Sequence, residues 1–188
     1  MQSMEKEKKI EMVYEMLNDP LVQEVLFNIF EGDEKGFEVI DVLLEKGETT
    51  EEEIAKELNV KLNVVRKLLY KLYDARLVDY KRWKDEETNW YSYTWLPTLE
   101  KLPYVVKKKI NELIKDLEEK LEFEKNNMFF FCPNCNVRFT FEEAMDYGFS
   151  CPGCGNMLQE FDNSELIKDL EEQIKFLREE LKNNPFLK

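Results

Sequence analysis

The stretch that decides the fold is Met128-Phe129-Phe130-Phe131-Cys132-Pro133-Asn134-Cys135, answered after fifteen intervening residues by Cys151-Pro152-Gly153-Cys154. These are the only four cysteines among 188 residues, and the chain has no histidine. Two Cys-x-x-Cys turns at this separation have the spacing of a structural zinc site. Each tight bend offers two thiolates, and proline and glycine inside the bends favour them. Four soft ligands close a tetrahedron and leave no open position for chemistry, so the quartet reads as scaffold. A rubredoxin-like iron site or a redox dithiol pair uses similar sulfurs, but neither accounts for the elements upstream. Val137–Phe141 reads as a strand and Glu142-Glu143 as an acidic turn, so residues 128–161 have the order of a zinc ribbon, in which metal replaces a core too small to hold alone.

Upstream, Asp19 is placed to cap a helix over 20–30, with Pro20 at its first position. A second helix over 35–46 ends at Gly47, its apolar face formed by Phe37, Ile40, Val42, Leu43 and Leu44. Thr50 opens a capping box with Glu53, followed by Ile54, Ala55 and Leu58. After the turn at Asn59-Val60, Val64, Val65, Leu68, Leu69 and Leu72 recur at helical spacing over 62–75. A short helix, a tight turn and a basic helix make a helix-turn-helix. Residues 75–83 and 90–96 then alternate like strands about a polar turn at 84–89. The fold class is α+β: an N-terminal winged helix-turn-helix, a linking helix, and a C-terminal zinc ribbon flanked by an acidic amphipathic helix. The expected domains are 1–103 (extended winged helix), 104–127 (linking helix), 128–161 (ribbon) and 162–188 (acidic helix).

The linking helix shows a stripe of Val106, Ile110, Leu113, Leu117 and Leu121 that needs a covering surface. The last helix, capped by Asn163 or Ser164, carries a seam of Leu166, Leu170, Ile174, Leu177 and Leu181. That seam has three candidate partners: the linking helix, a second copy, or another subunit.

Charge narrows the function. The net charge is -13, yet residues 61–84 hold eight basic and two acidic side chains. An acidic chain is a poor autonomous DNA binder, because phosphate contacts supply much of that affinity. The basic island occupies the recognition helix and wing through Arg66, Lys67, Lys71, Arg76, Lys81, Arg82 and Lys84, with Lys61 beside them. Alternation puts Tyr91, Tyr93 and Trp95 on one face of the second wing strand, and Trp83 on the first. Trp90, near the tip, is expected to be exposed. Core packing is the plain reading for about half of these aromatics. Without histidine, free thiol or phosphate-cradling glycine loop, no enzyme is expected. No run of about 18 apolar residues exists, and no secretory signal is read, so neither a membrane role nor a small-molecule substrate is expected. A reducing compartment suits four ligating thiols.

Taken in order, these pieces resemble archaeal transcription factor E, the relative of the alpha subunit of general transcription factor IIE. The resemblance rests on Asp19-Pro20-Leu21-Val22 through Ile29, on Gly47 and Thr49 to Ala55, on Leu72-Tyr73 with Ala75 to Val78, on the aromatic wing and on both knuckles. It implies a non-catalytic basal initiation factor, cytoplasmic with the archaeal nucleoid, that binds RNA polymerase at clamp and stalk and favours an open clamp and melted promoter. It further implies that Trp83, Trp90, Tyr91 and Tyr93 lie in a wing near the non-template DNA strand, and that the ribbon lies toward the stalk. The family's winged helix is often described as lacking a strongly basic recognition helix, so the island's partner, nucleic acid or an acidic protein patch, stays open. The alternative reading is a stand-alone winged-helix repressor dimerising through its C-terminal region. A third is an interaction module from another zinc-ribbon complex.

Overall fold

The computed structural model describes residues 2–84 and 91–187. The chain divides into two compact units, one holding everything to Lys109 together with Pro185–Leu187, the other Ile110–Asn184. Among the described residues no helix is long and apolar enough to cross a membrane.

The first unit opens with an unexpected helix, α1 (Gln2–Leu17). Its early turns are charged, and its apolar anchors, Val13 and Met16, come late and are buried. Helix α2 (Pro20–Ile29) starts where expected, the Asp19 carboxylate accepting from the Leu21 and Val22 N–H groups. Helix α3 (Lys35–Lys46) stops at Gly47, whose φ of 72° favours glycine. Thr50 and Glu53 form the full capping box of α4 (Glu51–Glu57). Strand β1 (Thr49–Thr50), which ends on the box's Thr50, was not foreseen.

Helix α5 (Leu62–Asp74) buries Val65, Leu68, Leu69 and Leu72. Each fully buried aliphatic side chain of this kind stabilises by roughly 1.5–3 kcal/mol relative to exposure. Beyond Ala75 the chain turns through Arg76 at φ 61°, with the Leu77 N–H returning to the Leu72 carbonyl. The first wing strand therefore begins at Val78 rather than Ala75: β2 is Val78–Lys84 and β3 is Tyr91–Pro97. The antiparallel sheet has the order β1-β3-β2, with Tyr80 opposite Trp95, Arg82 opposite Tyr93 and Lys84 opposite Tyr91. A helix-turn-helix with a sheet-bearing wing is thus present.

A short 3-10 turn leads into α6 (Leu102–Asn126), whose later turns belong to the second unit. The stripe shifts by one residue there: Ile114 is buried and Leu113 is 47% exposed. With 3.6 residues per turn, the step after Ile110 is four rather than three. The ribbon sheet, order β5-β4-β6, is built from β4 (Phe129–Cys132), β5 (Val137–Thr140) and β6 (Gln159–Phe161). The stretch read as an acidic turn is the start of a short helix, α7 (Phe141–Asp146), with its own Thr140–Glu143 capping box. Helix α8 (Ser164–Asn183) buries Leu170, Ile174 and Leu177. Asn163 stands at the N-cap position as expected, but its side chain makes no capping bond; the Asp162 carboxylate accepts the Ser164 N–H at 2.9 Å instead. Ion pairs Lys125–Glu171 (2.5 Å) and Arg178–Glu118 run in opposite directions along α6 and α8. Both are separated by seven residues on each helix, so the two helices lie antiparallel with a heptad-like register. The apolar seam of α8 thus faces the linking helix.

Candidate zinc centre and wing face

The first knuckle is the β4–β5 turn itself. Cys132 ends β4, pairs across to Val137, and its carbonyl accepts the Asn136 N–H. The second knuckle closes when the Gly155 N–H donates to the Cys151 carbonyl at 2.7 Å. Cys132 and Cys151 are buried beside Ala144 and Leu158, with Phe130, Phe139 and Phe149 packed around them. Cys135 and Cys154 lie at the surface.

All four sulfurs lie within 4.8 Å of one another, and those of Cys132 and Cys154 are 3.5 Å apart. A tetrahedral ion with metal–sulfur bonds of about 2.3 Å needs sulfur–sulfur edges of about 3.8 Å, so the quartet fits zinc. The Asn156 backbone N–H draws the Cys154 thiol down to about 6. The hydrogen bond to Cys154 pushes Cys135 up to about 12. Protein groups alone thus favour the Cys154 thiolate and oppose that of Cys135, whereas a divalent cation stabilises all four. With every position filled by cysteine this is a structural zinc site.

Most of the other expected contact residues separate into two groups. The first is tied to carboxylates of its own unit. The Arg66 Nε and guanidinium reach Glu51 Oε2 at 2.8 Å, and Glu51 is itself buried. Lys71, its side chain only 13% exposed, donates to the Phe30 carbonyl and to Glu31, both at 2.8 Å. The Glu31 carboxyl is consequently held below its ordinary range, first by the Lys71 hydrogen bond and then by the charges of Lys71 and Lys67. Lys67 approaches the same carboxylate at 3.5 Å, and Lys81 meets Glu48 at 3.2 Å. Arg76 sits in the left-handed turn, where its carbonyl accepts the Thr98 hydroxyl.

The second group lies on one face of the wing. Tyr80, Arg82 and Lys84 on β2 share it with Tyr91, Tyr93 and Trp95 on β3. The Arg82 guanidinium lies 3.5 Å from the Tyr91 ring centre. Trp83 points to the opposite face, donating its indole N–H to Thr94 at 3.1 Å. Trp90 lies outside the described residues. Of the described wing aromatics, only Trp95 is core; Tyr80, Trp83, Tyr91 and Tyr93 are all exposed. Two residues of this face were missed. Tyr70 and Tyr73, exposed on α5, stack edge-on to Trp95 at 5.8 and 6.4 Å, and Tyr73 meets Tyr80 at 5.2 Å. Their i, i+3 spacing on the helix was the available signal.

The family model of the TFIIE alpha subunit matches residues 20–126, more than half of the chain. The chain belongs to the transcription factor E family. Over 173 residues it is 98% identical to Transcription factor E of Methanocaldococcus jannaschii, covering 92% of this chain and 100% of that relative. It is also 56% identical over 170 residues to Transcription factor E of Methanococcus maripaludis, covering 90% and 97%. A second model, TFIIB zinc-binding, matches residues 130–172, across the four cysteines. Membership makes this a non-catalytic, general transcription initiation factor. Within the transcription factor E frame, the zinc centre stabilises the ribbon, while exposed tyrosine rings gather on one face of the wing.

Proposed function

We propose that the chain binds RNA polymerase in the archaeal promoter complex, at clamp and stalk, and favours the open clamp and melted promoter. The carrying observation is the separation of charge from aromatic surface. Arg66, Lys67 and Lys71 of α5 are engaged by Glu51, Glu31 and the Phe30 carbonyl, while Tyr70, Tyr73, Tyr80, Tyr91 and Tyr93 stay open. A duplex-reading helix needs free cations for phosphates and base edges, and these are internally paired. That disfavours the repressor reading. A factor of this kind acts by binding one state of a large machine more tightly than the other. The wing, through Trp83, Trp90, Tyr91 and Tyr93 with Arg82 and Lys84, would contact the non-template strand or the clamp beside it, and the ribbon would face the stalk.

Open-promoter formation tests this with Trp90→Ala and Tyr91→Ala proteins of confirmed fold. Loss of a stacked ring is worth about 1–3 kcal/mol, so roughly fivefold or greater loss of melting is expected. Unchanged melting for both variants removes the wing from the mechanism. Tight sequence-specific duplex binding by a two-fold dimer, in a gel shift beside a sizing measurement, would instead establish the repressor.

A further inference from the structure

One buried carboxylate in the second unit is used by three segments at once. Glu124, in the last turns of α6, is 2% exposed. Its oxygens accept both ends of the Arg138 guanidinium, at 2.6 and 3.1 Å. Arg138 comes from β5, three residues beyond Cys135, and lies over the rings of Phe129 and Phe161, 4.1 and 5.5 Å from their centres. The Asn163 amide, at the entry to α8, donates to Glu124 Oε2 at 2.8 Å and to the Glu124 backbone carbonyl at 2.9 Å. The single residue therefore clips the end of one helix, a ribbon strand and the start of the other helix.

We infer that Glu124 couples zinc occupancy to the pairing of α6 with α8, so that the metal controls the order of the helical arm as well as the ribbon. The arm is two helices joined along one narrow seam, and helices in proteins draw most of their stability from packing such a face rather than from intrinsic propensity. Its polar pairs, Lys125–Glu171 and Arg178–Glu118, are surface ion pairs of small individual worth. The ribbon in turn buries a small cluster, Cys132, Ala144, Cys151 and Leu158, two of them metal ligands, with half-buried Phe130, Phe139 and Phe149 at its edge. Zinc joins the β4–β5 turn to the second knuckle, and its loss frees β5. Arg138 then leaves, and a desolvated carboxylate keeps only an amide donor. A buried charge without its partner is strongly unfavourable, and the structure relieves it by opening where Glu124 and Asn163 meet. Disorder therefore enters α8 at Asn163–Leu170 and spreads outward. A bidentate guanidinium suits this linkage better than an ammonium, because fork geometry fixes both orientation and distance.

Amide hydrogen exchange on the full chain, with zinc and after excess EDTA, reads the coupling directly. Exchange in α8 should speed up by about tenfold or more on chelation, with the largest change at 163–170. Unchanged protection of 164–183, or a loss beginning at the 178–183 end, overturns the inference. The double variant Glu124→Met/Arg138→Met removes the charges while keeping apolar volume. Its α8 should become insensitive to chelation while its ribbon still responds. The same loss as in the unmodified chain would show that the clip is not the carrier, and a Cys154→Ser variant should reproduce the EDTA result without chelator.

Discussion

Gly36 shows how narrowly one position can be determined. It lies in the first turn of α3, and a Cβ built there would come within 2.3 Å of the Phe30 ring. Phe30 is fully buried and rests edge-on against Phe37 at 5.5 Å, so it has no open side to retreat into. Helix propensity favours alanine over glycine by about 1 kcal/mol, but overpacking a closed core costs about 1–3 kcal/mol. The second effect wins at a separation this short. Gly36→Ala should lower the stability of the first unit by about 1–2 kcal/mol, read as an earlier midpoint in thermal or urea unfolding. A neutral or stabilising result would mean that Phe30 can rotate away. Lys71 teaches a related lesson about charge. Its sequence context marks it as a contact for nucleic acid or an acidic partner, while its position makes it the donor to an α2-terminal carbonyl. Nothing local distinguishes a solvated lysine from one folded inward, since both leave the helix with the same spacing.

At the scale of elements, the capping box of α4 was legible because its chemistry is contiguous: Thr50 accepts the Glu53 N–H, and Glu53 accepts the Thr50 N–H. Glu53 also accepts the Thr49 hydroxyl at 2.7 Å, the main reason its carboxyl sits below its ordinary value, ahead of the Thr50 backbone bond. Thr50→Ala should destabilise the first unit by about 1 kcal/mol. The pH sign follows from the lowered carboxyl. Stability that Glu53 supplies is fully present above its ordinary value of 4.5 and is lost as pH falls through the lower folded value. The stability gap between the unmodified chain and Glu53→Gln should thus be constant near neutrality and shrink on acidification below that range. A gap that widens in acid would contradict the box. The same Thr-x-x-Glu pattern at Thr140–Glu143 starts α7, yet it reads as a turn because six residues hold only one buried apolar position, Ala144. Two-residue β1 and charged α1 carry too little period to register, and their order comes from β3 and the core. The cysteines, the α5 stripe and the α8 seam were readable because each repeats at a fixed spacing. The Leu113–Ile114 shift was not, since adjacent apolar residues satisfy either register until a facing helix selects one.

On the scale of the whole molecule, the question is what a chain of net charge -13 does with its eight basic residues between 61 and 84. Affinity for duplex DNA falls with salt in proportion to the phosphates neutralised, by a log–log slope of about 0.9 per contact. A winged-helix repressor using the whole island would make some six or more such contacts, and its affinity would collapse steeply between low and moderate salt. Here Arg66, Lys67, Lys71 and Lys81 already face carboxylates, and Arg82 stacks on Tyr91. Recruiting the paired cations to phosphate would break contacts that the fold uses, most expensively at Lys71 and at Arg66 on buried Glu51. The isolated chain should therefore bind duplex DNA weakly, with a slope corresponding to about two or three phosphates. Fluorescence anisotropy across a salt series measures it. Single-stranded DNA should bind comparably or better, because ring stacking on the Tyr91–Tyr93 face does not depend on counterion release. A slope near that of the full island would mean that the internal ion pairs open on contact, and would return α5 to the role of a duplex-reading helix.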